Sequence, residues 1–258
     1  MTDKKWHENE EFWETFQFDL FGKRNMEKAQ GEVEKIEELL EIEPPQKILD
    51  LCCGIGRHSI PFAKKGYEVT GVDITEKYLQ EARSKAKNNN LEIEFIQDDM
   101  RKYQEKEEFD IVVNLCTSFG YFEDREDDKK VLKKIYNSLK PGGRLLIEIA
   151  GKEIIASKFK GRDWEEKEIN GEKAIKIEER KVKKDWSWLE DRWIVVRENG
   201  EKKEFDVSHR IYSAFELKQL MKKVGFTEIN VYGNKKGDPY DQNAERLVVE
   251  TKKPENGD

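Results

Sequence analysis

Between Lys47 and Ala150, short apolar runs alternate with amphipathic stretches. Lys47–Cys52, Glu68–Asp73, Leu91–Gln97, Phe109–Leu115 and Arg144–Ala150 are apolar runs of strand length. Between them, Ser59–Lys65, Thr75–Asn88 and Arg125–Leu139 repeat apolar residues at helical spacing. Thr75 stands at the N-cap of its helix, and Pro61 is tolerated in a first turn. Pro141-Gly142-Gly143 reads as the turn into the fifth strand. Strands and helices in this rhythm predict a mostly parallel sheet covered on both faces.

The flanks read differently. Residues 6–41 are helical: an aromatic start (Trp6, Phe12, Trp13, Phe16, Phe18), then Val33, Ile36, Leu39 and Leu40 at helical spacing, stopped by Pro44-Pro45. Residues 151–208 break the rhythm. Lys173–Val182 and Asp191–Val196 read as strands, Asn199-Gly200 as a hairpin turn, and Phe205, Val207, His209 and Ile211 alternate. This segment, which holds four of the six tryptophans, is a β-rich insertion. Ser213-Ala-Phe-Glu216 opens a helix with a capping box, and Gly225 closes it. Thr227–Tyr232 and Glu245–Lys252 are the last strands. The organisation is therefore an N-terminal helical cap (1–45), an α/β domain (46–150 and 209–252), the insertion (151–208) and a tail (253–258), without fixed structure from Pro254.

Composition narrows the function classes. Charged residues make up 40% and hydrophobic residues 36% of the 258, with no apolar stretch of membrane-spanning length. The N-terminus lacks an apolar leader, so export is not expected. Cys52 and Cys53 are adjacent and Cys116 stands apart, which is no disulfide framework and suits a reducing cytoplasm. His7, His58 and His209 fall in no zinc spacing, so no metal is expected. A net charge of −7 argues against a broad nucleic-acid footprint.

The chemistry concentrates at Ile48-Leu-Asp-Leu-Cys-Cys-Gly-Ile-Gly-Arg57, a strand running through a tight turn into a helix that reaches Phe62. Gly54 and Gly56 let backbone approach a ligand closely. Asp73, at the end of the next strand, is placed to accept ribose hydroxyls. These features alone suit a nicotinamide or an S-adenosylmethionine cofactor. Ser59 stands where a dinucleotide fingerprint has its third glycine.

At this point the chain resembles the class I S-adenosylmethionine-dependent methyltransferases, closely over 46–150 and more loosely over 209–252. Asp50, Gly54 and Gly56 match that family's D-x-G-x-G-x-G signature, with Cys52 replacing its first glycine. Val69–Asp73 matches the ribose-binding strand end, and Gln97-Asp98-Asp99-Met100 the adenine loop. Phe109–Leu115 matches the strand beneath the methyl donor, and Leu139–Leu145 the turn into the fifth strand. The resemblance implies a Rossmann-like doubly wound sheet of about seven strands, the last antiparallel. It further implies that S-adenosyl-L-methionine is held by Asp50, Cys52, Gly54, Gly56, Asp73, Ile74, Asp99, Met100 and Leu115.

Each acid also has a plainer role: Asp73 as helix cap, Asp50 and Asp99 as acceptors for loop amides. The acceptor side is less marked. Asn114–Tyr121 lacks the Asn/Asp-Pro-Pro-aromatic motif of base- and glutamine-directed relatives, and Cys116 lacks the proline of cytosine-directed ones. Cys116 reads as a small packed residue, and His58 as a helix-start hydrogen bonder. Ser118, Tyr121, His209, Arg210 and Tyr212 are the acceptor-side candidates, His209 also reading as a core histidine on the face of Phe205 and Val207. The insertion resembles the lids of small-molecule methyltransferases, which implies a small-molecule acceptor and a homodimer through that segment. An RNA- or protein-directed enzyme, and a non-catalytic cofactor-binding protein, are the alternatives.

Overall fold

A computed structural model describes residues 5–169 and 171–255. It divides into two sheets. The larger contains β1 (Lys47–Leu51), β2 (Glu68–Asp73), β3 (Glu94–Gln97), β4 (Phe109–Asn114), β5 (Leu139–Ile149), β10 (Thr227–Tyr232) and β11 (Leu247–Lys252). Their order is β10-β11-β5-β4-β1-β2-β3. β1 to β5 pair in parallel, and β11 lies antiparallel between β5 and β10. The second sheet is an antiparallel meander of β6 (Arg162–Ile169), β7 (Glu172–Lys183), β8 (Trp188–Arg197) and β9 (Lys202–Arg210).

The unbroken apolar runs of the central strands have a direct cause. Successive residues point to opposite faces, and both faces are covered. On one, Leu49, Val112, Leu145 and Val249 pack beneath α5 (Arg125–Ser138) and α7 (Ala214–Val224), contacting Val131, Ile135, Leu217 and Met221. On the other, Ile48, Ile111, Leu146 and Val248 pack against Val33, Ile36 and Leu40 of α2 (Lys23–Leu40) and Phe62 of α3 (Ser59–Lys64). α4 (Glu76–Asn88) seats Leu79, Ala82 and Ala86 on Phe95 and Cys53. The capping box at Ser213 and the left-handed Gly225 delimit α7 as its residues dictate.

Several boundaries depart from the sequence pattern. The helical segment 6–41 is a 3-10 turn at Trp6–Glu8, α1 (Glu10–Leu20) and α2, broken at Phe21-Gly22. The two halves serve different cores. α1 puts Phe12 and Phe16 against Ile169, Ala174, Val195 and Val207 of the second sheet, whereas α2 covers the large one. Asn25 Nδ2 donates to the freed carbonyls of Asp19 and Leu20 and stabilises the break. α2 ends at Leu40 with Glu41 in the left-handed region, before the prolines are reached. Pro141-Gly142-Gly143 is not a turn ahead of β5 but a bulge within it: Leu139 pairs with Phe109 and Arg144 with Ile111.

Arg162–Ile169 escaped the pattern because its one exposed face and its edge position select charge over alternation. β9 runs to Arg210, so His209 and Arg210 belong to the second sheet and the α/β domain resumes at Ile211. The start of the tail is ordered. Lys253 is buried, its Nζ donates to Leu139 O, and Gly142 N donates to the Lys253 carbonyl. Residues 256–258 lie outside the described residues, as do the first four.

Candidate active site

A pocket opens at the carboxyl ends of β1, β2 and β4, holding about 990 Å³ of empty space with its mouth included. Its floor is the loop after β1. Cys52 N and Cys53 N both donate to Val72 O, at 2.7 and 3.0 Å, which folds the loop over the end of β2. Cys52, Gly54 and Gly56 all take left-handed backbone, with φ of 66°, 56° and 75°. Only Cys52 has a Cβ to strain, and its side chain lies against Met100, Sγ to Sδ 3.7 Å. A Cβ on Gly54 would fall 2.5 Å from the Phe21 ring, so the bare backbone here is what lets the cap lie down on the loop.

Asp73 ends β2 inside the pocket. Its two oxygens accept from Gly54 N and Thr75 N, each at 2.9 Å, leaving further lone pairs for a ligand. Thr75 makes no side-chain cap bond; Asp73 serves that helix start instead. Asp50, buried on β1, accepts from Ser59 Oγ at 2.6 Å. Burial raises the carboxyls of both Asp50 and Asp73 above their ordinary range. Asp99 is bound in a bidentate pair with Arg101. Burial alone would raise its carboxyl; the Arg101 hydrogen bonds and charge hold it below the usual range.

Beside the glycine loop lies a cationic corner. Arg57 and His58 both reach Glu32 of α2, at 2.7 and 2.8 Å. His58 makes no helix-start bond, contrary to the sequence reading, because its ring turns to Glu32. Burial works to raise the Glu32 carboxyl, but the His58 hydrogen bond and the charges of Lys235, His58 and Arg57 bring it to about 2. Arg57 Nη1 also lies 3.4 Å from Cys116 Sγ, and its Nε is buried without a partner among the described residues.

The loop after β4 forms the opposite wall. Cys116 and Thr117 are both left-handed, with φ of 60° and 64°, so the chain turns sharply and Cys116 faces the pocket instead of packing away. Buried Glu148 holds this turn, accepting from Cys116 N while Lys235 and Arg246 reach it at 2.8 and 3.2 Å. Cys116 is exposed to the pocket, yet desolvation by the chain around it and the Glu148 charge push its thiol up to about 11, which keeps it a neutral thiol and a poor nucleophile at pH 7. Ser118 Oγ donates to Leu115 O at 2.8 Å. Burial pushes the Tyr121 phenol up, so it is a neutral hydroxyl at pH 7.

Thus all nine proposed cofactor residues except Gly56 line this pocket, and so do Ser118 and Tyr121. Gly56 faces away, with Ala82 and Phe95 3.3 Å from where its Cβ would be. His209, Arg210 and Tyr212 do not line it. Arg210 Nε and Tyr212 Oη both bond Asp128 of α5, at 3.3 and 2.7 Å, and burial lowers His209 to about 4. Arg210 also ties the end of β9 to the loop after β4, its N donating to Gly120 O at 2.7 Å. The residues that local pattern missed come from the cap and from α4. His7, Trp13 and Phe21 close the pocket together with Tyr78, whose hydroxyl donates to Trp13 O at 2.6 Å. Their signal was the aromatic density of residues 6–21, which reads equally as core.

Comparison with known proteins agrees with this geometry. Residues 48–143 match a family described as a methyltransferase domain. YqeM of Bacillus subtilis (strain 168) is 39% identical over 123 residues, 46% of this chain and 49% of YqeM, so the chain spans about half the length of the curated relatives it matches. A 23S rRNA (uracil(1939)-C(5))-methyltransferase of Polynucleobacter necessarius subsp. necessarius (strain STIR1) is 32% identical over 82 residues, 32% of this chain but 16% of its own. Among solved structures, an S-adenosylmethionine-dependent methyltransferase from Clostridium acetobutylicum ATCC 824 superposes with a TM-score of 0.75 at 19% identity, covering 95% of this chain and 98% of its own. CalS10, an amino pentose methyltransferase from Micromonospora echinaspora bound to its cofactor, gives 0.70 at 18% identity, over 93% and 96%. At these identities the structures establish the fold, insertion included.

Proposed function

We propose, from the premise that residues 48–143 form a methyltransferase domain served by S-adenosylmethionine, that the chain methylates a nitrogen or oxygen of a small-molecule acceptor. The observation that carries the reading is the half-buried Asp73 carboxyl, held by Gly54 N at the end of β2, inside a pocket with unpartnered polar atoms on its walls. Asp73 takes the ribose hydroxyls, and Ile74 and Met100 flank the base near Asp99. Asp50 faces the amino end and Arg57, with its spare Nε, the carboxylate end. The bound donor supplies an activated sulfonium methyl; the protein supplies position and a dry site. Trp13, Tyr78 and Tyr121 exclude water above the donor. The neutral hydroxyls of Ser118 and Tyr121 orient the acceptor by hydrogen bonds.

The acceptor class rests on enclosure and charge. The cap roofs the pocket, and three of the lysines in the runs 181–184 and 235–236, which would suit a polyanion, are paired with acids. Lys183 pairs with Glu190, Lys184 with Glu123 and Lys235 with Glu148. CalS10, an amino pentose methyltransferase of the same fold, supports the same class. Trp164 and Ile175, exposed on the outer face of the second sheet, support a homodimer through the insertion; sedimentation at micromolar concentration should give twice the mass of one chain. Two measurements test the main reading. Calorimetry should detect S-adenosylhomocysteine binding at micromolar to millimolar concentration. Incubation of a metabolite extract with methyl-labelled S-adenosylmethionine should give a labelled small molecule and leave RNA unlabelled. Absence of binding at millimolar ligand sinks the reading, and label in RNA moves it to a nucleic-acid acceptor.

A further inference from the structure

His7 is 95% buried, since only 5% of its surface is exposed, and it sits on the wall of the same pocket. Its placement is fixed from several sides. Trp13 Nε1 donates to its carbonyl at 2.9 Å, and the neighbouring Trp6 Nε1 donates to Ser208 O of the lid at 2.7 Å. Its ring lies 6.0 Å from Tyr121 in a stacked arrangement and 5.4 Å from Phe122 edge to face. Yet its Nε2 is buried with no hydrogen-bond partner among the described residues. A nitrogen so placed forfeits the free energy of its bond to water, and buried polar groups in proteins are ordinarily paired. A ligand in the pocket supplies the missing partner.

Which part of the ligand it meets follows from its charged neighbours. Glu8, next to His7, reaches Arg101 at 3.4 Å, and Arg101 holds Asp99. The Arg101 guanidinium lies 4.4 Å from the Phe122 ring centre, the ring that flanks His7. His7 thus stands at the Asp99 end of the pocket, away from Asp50 and Arg57. We infer that His7 hydrogen-bonds through Nε2 to the edge of the donor's purine base, which makes the N-terminal cap part of the cofactor site. The inference rests on the cofactor reading above. A neutral imidazole carries one donor and one acceptor nitrogen, and the purine edge offers an exocyclic N–H beside ring acceptors, so either tautomer finds a partner. Burial lowers the His7 pKa, with Glu8 opposing and Arg101 adding, so the ring is neutral at pH 7.

The test is calorimetry on the full chain with S-adenosylhomocysteine and with S-inosylhomocysteine, whose base carries a carbonyl in place of the amine. His7→Phe keeps the aromatic packing and removes the nitrogen. It should bind S-adenosylhomocysteine about five- to tenfold more weakly than the unaltered chain, the effect of one neutral hydrogen bond. It should lose a similar factor against S-inosylhomocysteine, because either tautomer of His7 finds a partner on that base edge too. His7→Gln, which retains a polar group, should recover part of both. Unchanged affinity in His7→Phe overturns the inference while leaving the cofactor reading intact, and would put His7 on the acceptor. If His7→Phe does not fold, unchanged S-adenosylhomocysteine affinity in His7→Leu overturns it instead. An unaltered chain that binds neither ligand overturns the cofactor reading with it.

Discussion

At Asp73 one carboxyl organises the loop and, in the function proposed above, the ligand. It accepts from Gly54 N and Thr75 N and lines the pocket. Asp73→Ala should weaken S-adenosylhomocysteine binding by about 10- to 100-fold, since charge-assisted hydrogen bonds are worth about 1.5–3 kcal/mol each; calorimetry reads this directly. Asp128 shows the opposite balance. Burial raises its carboxyl to about 6, only partly offset by the Tyr212 hydrogen bond and the Arg210 charge. Because the folded-state value lies above the unfolded one, the native state holds this proton more tightly. The resulting stability is fully present below about pH 4 and is lost as pH rises through about 6, an effect on the order of 3 kcal/mol. Asp128→Asn should remove that slope, so urea midpoints at pH 4.5 and 7 should differ less in the variant than in the parent.

At the scale of elements, the loop after β4 depends on backbone that only glycine takes readily. Gly120 has φ +99°, and a Cβ there would lie 2.8 Å from Arg210 O. Gly120→Ala must therefore separate the loop from β9. It should cost about 2 kcal/mol or more, seen as a lower melting temperature, and should slow methyl transfer because Ser118 and Tyr121 ride on the loop. The capping box of α7 is the reverse case, legible from Ser213 and Glu216 alone. Ser213→Ala should cost about 1 kcal/mol, a fall of about 2–4 °C in melting temperature for a chain of this size. α1 and α2 mark the limit of such local reading. Their spacing is continuous, and the break at Gly22 appears only because each half is claimed by a different sheet.

In the whole molecule, the cap and the lid are one unit built over a buried charge. Lys176 of β7 is 4% exposed; it bonds Asp19 of the cap, pairs with Glu178 at 2.7 Å, and stands 4.0 Å from the Trp193 ring centre. Truncating one member of such a network strands the others, at a cost of about 3 kcal/mol or more. Lys176→Ala should loosen the cap, so that limited proteolysis near Phe21-Gly22 quickens well before global unfolding. The same substitution should weaken S-adenosylhomocysteine binding if the cap completes the site.

The α/β layer and its cofactor loop were determined by the sequence itself, because local rules suffice there. Strands buried on both faces must be apolar throughout, a ligand-approaching loop must be bare, and the acid that meets a ribose must end the next strand. Asp73 is readable on those grounds; Met100 came from the family resemblance, and at Gly54 it is the Phe21 ring that needs the bare backbone. Only the tertiary structure decided what closes the pocket. His7, Trp13 and Tyr78 look like ordinary core aromatics, and Arg57 and His58 like a helix start, because their partners lie elsewhere in the chain: Tyr78 bonds Trp13 O 65 residues away, and Arg57 and His58 reach Glu32 25 and 26 residues away. That His209, Arg210 and Tyr212 stand outside this pocket was hidden for the same reason. Alternation along a strand tells which residues share a face; which face meets the ligand is set by how two sheets and a helical cap pack together.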